Sequence, residues 1–405
     1  MLGARRDLRE VHRTVFFADE VGLQTMSFSP DKVLNIEDLR TIARRRLPRF
    51  VFDYVDGGAD DEVTLQRNRR AFERLCFRPR TLVDVSRRSV AASILGLPAS
   101  MPVIVGPVGL LGLCWRDGDL VMARAAAEGG VPCAISTVSM NYLEQVAGGS
   151  TGRKWFQCYV LQDRKITEAL IRRAATAGYE ALIITSDVPV GGNRERDLRS
   201  GLRPATKLSW RAKLDTLRRP HWLATVATRR PSFVNIDREL GPGRRRSEYM
   251  ATRLFDSALD WEDFRRLRDL WKGKLLLKGV LRPDDAARAV ELGADGIVLS
   301  NHGGRQLDGA ISAMQALPQV AREIGGRASL IVDGGVRRGT DIAKAIALGA
   351  EAVIVGRAVN YGLAAGGIRG AKKALDILRE ELDRTLALTG SRTLEELTPD
   401  LITPE

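Results

Sequence analysis

The sequence predicts an α/β protein: a (β/α)8 TIM barrel with an N-terminal helical cover and a long insertion after the fourth strand. Three observations carry that expectation. Eight short apolar runs are continuous rather than alternating, the pattern of parallel strands buried on both faces. Helical patterns lie between most of them. Ser136, Gln157, Tyr159, Thr185, Asp187, Lys278, His302, Asp333 and Arg357 all fall at or just past the C-terminal end of a run. A doubly wound open sheet also accepts eight such strands, but a barrel gathers all those polar ends on one face.

The elements follow in order. Residues 1–33 read as an N-terminal extension and residues 34–400 as the barrel unit, in which "NIEDLRTIARRRLPRFVFDYVDGG" forms the helical cover. The first four strands are "PVIVGPV" (102–108), "PCAIST" (132–137), "KWFQCYV" (154–160) and "ALIITSD" (181–187). The last four are "KLLLKGV" (274–280), "GIVLSN" (296–301), "SLIVDGG" (329–335) and "AVIVGR" (352–357). "DLVMARAAAEGG", "KITEALIRRAATAGY", "PDDAARAVELGA" and "DIAKAIALGA" carry helical spacing, and Gly-Ala or Gly-Tyr closes several of them as a helix C-terminus does.

Residues 188–260 make an unusually long connection, the kind that is functional or disordered. Much of the formal charge of +13 sits there, since residues 199–246 hold thirteen Lys and Arg against three Asp and Glu. Within 199–250, Trp210, Leu214 and Leu217 fall at helical spacing among Lys207, Arg211, Lys213, Arg218 and Arg219, with Trp222 and Leu223 extending the apolar surface. That composition suits a basic amphipathic segment lying on an anionic membrane surface. A solvated basic loop is the plainer alternative.

Composition excludes several classes. With 44% hydrophobic and 28% charged residues the chain is an ordinary globular one. Four cysteines without a CxxC pair and three scattered histidines give no metal-site spacing, and a reducing cytoplasmic compartment is expected. No secretory leader is apparent, and the longest apolar run, "MPVIVGPVGLLGLCW", is too short and too broken by Gly and Pro to span a bilayer. Nucleic acid is not an expected partner, because the basic segment lacks the motifs and aromatic platforms that such binders use.

The chemistry is expected at "SNHGGRQLDG" (300–309), where a rare imidazole, His302, follows a buried run and precedes Gly-Gly, with Arg305 close behind. "VDGGVRRGTDIAKAIALGAEAVIVGRAV" (332–359) reads as a phosphate site: glycines after strands seven and eight admit backbone N–H groups, and arginines match phosphate oxygens. Lys278 ends an otherwise buried run, where its charge needs a partner. A flavin ring edge and a barrel carboxylate such as Asp187 or Asp333 serve equally well.

Together "SNHGGRQLD", "VDGGVRRGTDI", "WFQCYV", "DYVDGGADDE" and "MPVIVGPVGL" resemble the FMN-dependent L-2-hydroxy-acid oxidase/dehydrogenase family, in the family's order and over residues 34–400. "FRPRTLVDVSRRS" and "GPVGLLGLCWRDGDL" are most similar to its mandelate dehydrogenases, and "STVS" to its membrane lactate dehydrogenases. The resemblance implies His302 as the active-site base, paired with Asp187. It implies Arg305 and Tyr54 as holders of the substrate carboxylate, Arg194 as a further substrate and charge-stabilising group, and Tyr159 at the substrate hydroxyl. FMN would be held by Pro107, Val108, Gly109, Ser136, Gln157, Thr185, Lys278, Asp333, Gly335, Arg337, Gly356 and Arg357.

The implied reaction is oxidation of a small L-2-hydroxy acid to the 2-oxo acid. Val138 and Gly109 are expected to open space for a bulky, mandelate-like acid, with L-lactate the competitor. A quinone-type acceptor, peripheral attachment to the inner face of the cell membrane and a homo-tetramer are the further expectations; a soluble oxidase using O2 and releasing H2O2 is the alternative. Whether His302 takes the Cα proton or the hydroxyl proton stays open. A different FMN barrel or a non-catalytic scaffold would have no reason to keep His302 and Arg305 together.

Overall fold

The continuous apolar runs become a closed barrel because each must bury both faces, and closure leaves no edge. The computed structural model describes residues 28–201, 210–226, 232–240 and 255–405. Three short strands come first: β1 (Leu75–Phe77), β2 (Ala92–Ile94) and β3 (Leu97–Ala99). The barrel strands are β4 (Val103–Val105), β5 (Cys133–Ser136), β6 (Lys154–Tyr159), β7 (Ala181–Thr185), β8 (Lys274–Val280), β9 (Gly296–Leu299), β10 (Ser329–Asp333) and β11 (Ala352–Val355). All the barrel pairings are parallel, and β11 returns to β4 to close the ring. Each falls on one of the eight predicted runs.

The barrel interior is filled from every strand. Ile104, Ala134, Trp155, Ile183, Leu276, Val298, Ile331 and Ile354 form one buried cluster, to which the β2–β3 hairpin adds Ile94, Leu95 and Ala99. That hairpin plugs the N-terminal end of the barrel. Arg153 ties it there, donating to the carbonyls of Ile94, Leu97 and Pro98 while pairing with Glu180. The strands' other faces pack on the surrounding helices in a second, larger core.

The helical cover begins with Ile36–Arg46, which a capping box of Asn35 and Asp38 starts. Helix Arg49–Asp56 follows and carries Phe50 and Tyr54 toward the C-terminal barrel face. Two expected boundaries shift. Val33 is buried and the Phe28 ring lies where a Cβ on Gly366 would stand, so the fold already includes residues 28–33. At the other end β12 (Ile402–Pro404) pairs antiparallel with β1, taking the fold past residue 400.

The insertion after β7 contributes helices Glu195–Ser200, Trp210–Leu217, Pro220–Thr225 and Val234–Leu240. Trp210, Leu214 and Leu217 are exposed, on the expected helix. Trp222 corrects the expectation: it is buried, donates from Nε1 to the Leu113 carbonyl at 2.7 Å, and packs edge-on against Phe50. Leu223 likewise packs against the core. Helical spacing gives a face but not its direction, and the indole N–H found a carbonyl inside. Lys207 and the side chain of Arg211 lie outside the described residues.

Candidate functional site

The C-terminal barrel face opens into a cavity of about 890 Å³, lined by residues from many of the strand ends and from the helical cover. His302 stands on its wall with φ +59°, followed by Gly303 and Gly304 at +65° and +76°. A left-handed non-glycine residue costs about 1–3 kcal/mol and persists only where its surroundings impose it. Here they do. A Cβ on Gly304 would lie 2.5 Å from the Leu65 backbone, so the loop is pressed against helix Val63–Glu73 of the cover.

Imidazole Nδ1 lies 2.8 Å from Asp187 Oδ1, and Nε2 lies 3.3 Å from Tyr159 Oη. Nε2 therefore faces the cavity, and the carboxylate fixes the proton on Nδ1. Burial pushes the imidazole below its ordinary range, opposed by Asp187. Burial works to raise the Asp187 carboxyl, yet His302 and Lys278 hold it below its usual value. Asp187 sits behind the imidazole and does not line the cavity.

Lys278 is buried, and of the two kinds of partner expected for it the carboxylates are in place: Asp333 at 3.2 Å and Asp187 at 3.7 Å. These carboxylates hold the ammonium above its ordinary value against the opposing effect of burial. Lys278 also lines the cavity. Ser300, for which the sequence raises no expectation, joins these groups. Its Oγ accepts from Lys278 Nζ and from the His302 backbone N–H, and donates to Asp333 Oδ2 at 2.8 Å. One hydroxyl thus ties three strand ends together; the only signal for it is a serine closing "GIVLS".

Arg305 donates from Nη1 to the carbonyls of Tyr54 and Gly57, and Nε and Nη2, without a hydrogen-bond partner among the described residues, form a planar edge for an anion. Its guanidinium lies 5.0 Å from the Tyr54 ring centre, and that of Arg194 lies 5.6 Å from it. Tyr54 Oη donates to the Gly109 carbonyl at 3.2 Å. The expected group of Tyr54, Tyr159, Arg194, His302 and Arg305 is therefore brought to one cavity.

Of the other expected positions, Pro107, Val108, Gly109, Gln157, Thr185, Asp333, Gly335, Arg337, Gly356 and Arg357 line the same cavity. Ser136 does not; it is buried, and its Oγ donates to Gln157 Oε1 while Gln157 Nε2 donates to Thr185 Oγ1. Its place is in the hydrogen-bond row that orients Gln157. The Arg357 guanidinium is committed to the carbonyls of Val55, Gly57 and Gly303. Burial, with Arg305 and Arg337 nearby, pushes it down to about 10. Its charge reaches the cavity, while its donors clamp the His302 loop to the cover.

Gly109 and Val138 do not simply add space. A Cβ on Gly109 would lie 2.6 Å from Val138 Cγ2 and 3.2 Å from Tyr54 Oη, so Val138 occupies what the glycine vacates. Phe255 and Phe233 of the insertion also line the cavity, and Phe255 packs edge-on against Tyr159 at 5.1 Å. Both belong to the long connection, where no periodicity points inward. No cluster of metal-ligating residues is present among the described residues.

Residues 43–404 match the family model of FMN-dependent dehydrogenases. (S)-Mandelate dehydrogenase of Pseudomonas putida is 44% identical over 374 residues, covering 92% of this chain and 94% of that protein. An L-lactate dehydrogenase of Caulobacter sp. (strain K31) is 44% identical over 364 residues, 89% of this chain and 96% of its own. Among solved structures, the monotopic membrane protein (S)-mandelate dehydrogenase superposes with a TM-score of 0.89 at 43% identity, covering 92% of this chain and 100% of that one.

Proposed function

The chain belongs to the FMN-dependent dehydrogenase family and oxidises L-2-hydroxy acids with FMN; on that premise we propose which residues do the work, which acid is preferred and where the electrons go. The cavity suits the cofactor. Gly356 is uncrowded, an added Cβ meeting only Val108, at an ordinary contact distance of 3.7 Å. The first N–H groups of helix Arg357–Thr389 start beside it, and Arg337 lies alongside. Arg305, Arg337 and Arg357 bring positive potential to the cavity for a phosphate and a carboxylate. Gln157, Thr185 and Lys278 would face the flavin's polar edge, and Gly335, Arg337 and Gly356 its phosphate.

FMN supplies the acceptor for the two electrons leaving the substrate Cα. Arg305, through its free edge, binds the substrate carboxylate, with Arg194 and Tyr54 beside it. His302 Nε2 takes the proton, Asp187 stabilises the resulting imidazolium, and Tyr159 holds the hydroxyl. The 2.8 Å contact of Asp187 with Nδ1, which leaves Nε2 facing the cavity that also holds the Arg305 edge, is the observation that carries this reading. His302→Gln tests it: FMN should stay bound while flavin reduction slows by orders of magnitude, and near-normal reduction would overturn the assignment.

For the substrate we propose a bulky acid of the mandelate kind, since Phe233 and Phe255 supply an apolar wall at the cavity. For the acceptor we propose a membrane quinone, the enzyme lying on the inner face of the cell membrane. Exposed Trp210, Leu214 and Leu217 on one short helix, with Lys213 and Arg218 exposed beside them, favour this. Each basic residue near anionic lipid adds about 1 kcal/mol. No helix among the described residues is long and apolar enough to cross a membrane. Flotation with anionic vesicles tests the docking: wild type should float, and a variant with residues 205–245 replaced by a short linker should not. The same reading includes a homo-tetramer, which light scattering tests.

A further inference from the structure

We propose that Asp197 is a built-in counter-charge to the substrate-carboxylate clamp, a positioning residue that weakens anion binding so that the 2-oxo acid product can leave. Asp197 lies in helix Glu195–Ser200, which packs on the Tyr54-bearing helix, and it lines the cavity although it is only 5% exposed. Its Oδ2 lies 3.5 Å from Arg194 Nε, and its buried Oδ1 has no hydrogen-bond partner among the described residues. Neighbouring Arg196 points its donors elsewhere, being committed to Asp56 and Glu62 at 2.8 Å each. The carboxylate therefore sits against Arg194, one of the two guanidinium groups that flank Tyr54, and within the electrostatic reach of the other, Arg305.

A carboxyl placed this way is costly: burial leaves it above its ordinary value, with Arg305 and Arg194 the foremost groups opposing that rise. With one oxygen unpartnered, local hydrogen bonding gives little structural return for that cost. Its electrostatic effect is definite. Two arginines alone would hold one substrate carboxylate with a positive charge left over. With Asp197 the group of two arginines, one aspartate and one bound carboxylate is neutral, and the same holds for substrate and product. In a cavity where charges are poorly screened, one counter-charge at this range changes anion affinity by about an order of magnitude.

The proposal rests on the reading of Arg305 and Arg194 as the carboxylate clamp, and the test separates the two. Oxalate, a dicarboxylate that needs no side-chain pocket, is titrated into the FMN-loaded oxidised enzyme and followed by the flavin spectrum. Asp197→Asn should tighten oxalate roughly five- to tenfold, lower KM in parallel, and lower kcat as product release slows. Asp197→Glu, which keeps the charge, should stay within about twofold of wild type. Unchanged or weakened oxalate binding in Asp197→Asn would overturn the counter-charge. Should Asp197→Asn lose FMN, Asp197→Ser serves as the neutral replacement with the same two outcomes. Arg305→Lys is the control on the clamp: if it fails to weaken oxalate, the clamp reading falls; if it weakens oxalate while neutral Asp197 variants do not tighten it, only the counter-charge falls.

Discussion

Replacing Asp187 by Asn removes one charge and little volume, and its consequence follows from two distances. Oδ1 lies 2.8 Å from His302 Nδ1 and Oδ2 lies 3.7 Å from Lys278 Nζ. Opposite charges about 4 Å apart interact by about 4 kcal/mol at an effective dielectric near 20. That stabilisation is absent when the imidazole is neutral and present once it holds the proton, so it lowers the barrier rather than the ground state. Lys278 keeps Asp333 at 3.2 Å, which limits the wider damage. The expected loss is about 3–4 kcal/mol, or two to three orders of magnitude in rate.

The assay is anaerobic stopped-flow bleaching of the flavin at saturating substrate across pH. His302 must be neutral to accept a proton, so reduction falls on the acid side. Burial already sets the imidazole low and Asp187 pulls it upward, so the variant's acid limb should move to lower pH. Reduction within tenfold of wild type, or an acid limb displaced to higher pH, would refute this reasoning.

Gly109→Ala should cost about tenfold or more in kcat/KM toward (S)-mandelate, because the new methyl meets Val138 and Tyr54 Oη, and overpacking of this kind costs about 1–3 kcal/mol. Adding Val138→Ala should recover most of it; strictly additive losses would disprove the coupling. Asp119 is buried behind the loop that follows β5, accepting from Met140 N–H, and burial raises it to about 7. Its contribution to stability is present below the unfolded carboxyl's value and is lost as pH rises through about 7. Relative to wild type, Asp119→Asn should therefore gain about 2–4 kcal/mol between pH 5 and pH 8. An equal stability difference at both pH values, with FMN saturating, would contradict it.

The barrel was legible because its strands are buried on both faces, so "ALIITSD" and "AVIVGR" announce themselves without any tertiary knowledge. The polar residues that end those runs were legible for the same reason, and His302 with them. Relations between side chains were not. Nothing in the spacing of Gly109 and Val138 says that one fills the other's volume, and "GIVLS" does not say that its serine joins Lys278 to Asp333. Trp222 shows the limit of amphipathic spacing, since a tryptophan beside exposed leucines can turn inward when a carbonyl waits there. The position of Arg357 predicts a phosphate ligand, but three backbone carbonyls claim its donors. Short pairs such as β1 with β12 carry too few residues for any period to show.

The most direct test of the central claim is the visible spectrum of the purified protein, mixed without oxygen with (S)-mandelate, L-lactate and glycolate in turn. The protein should be yellow, and its flavin should bleach with an L-2-hydroxy acid, fastest with (S)-mandelate; readmitting air should restore the colour only slowly if a quinone is the natural acceptor. A protein that binds FMN in this cavity but keeps its flavin oxidised with every L-2-hydroxy acid would contradict the roles given to His302 and Arg305.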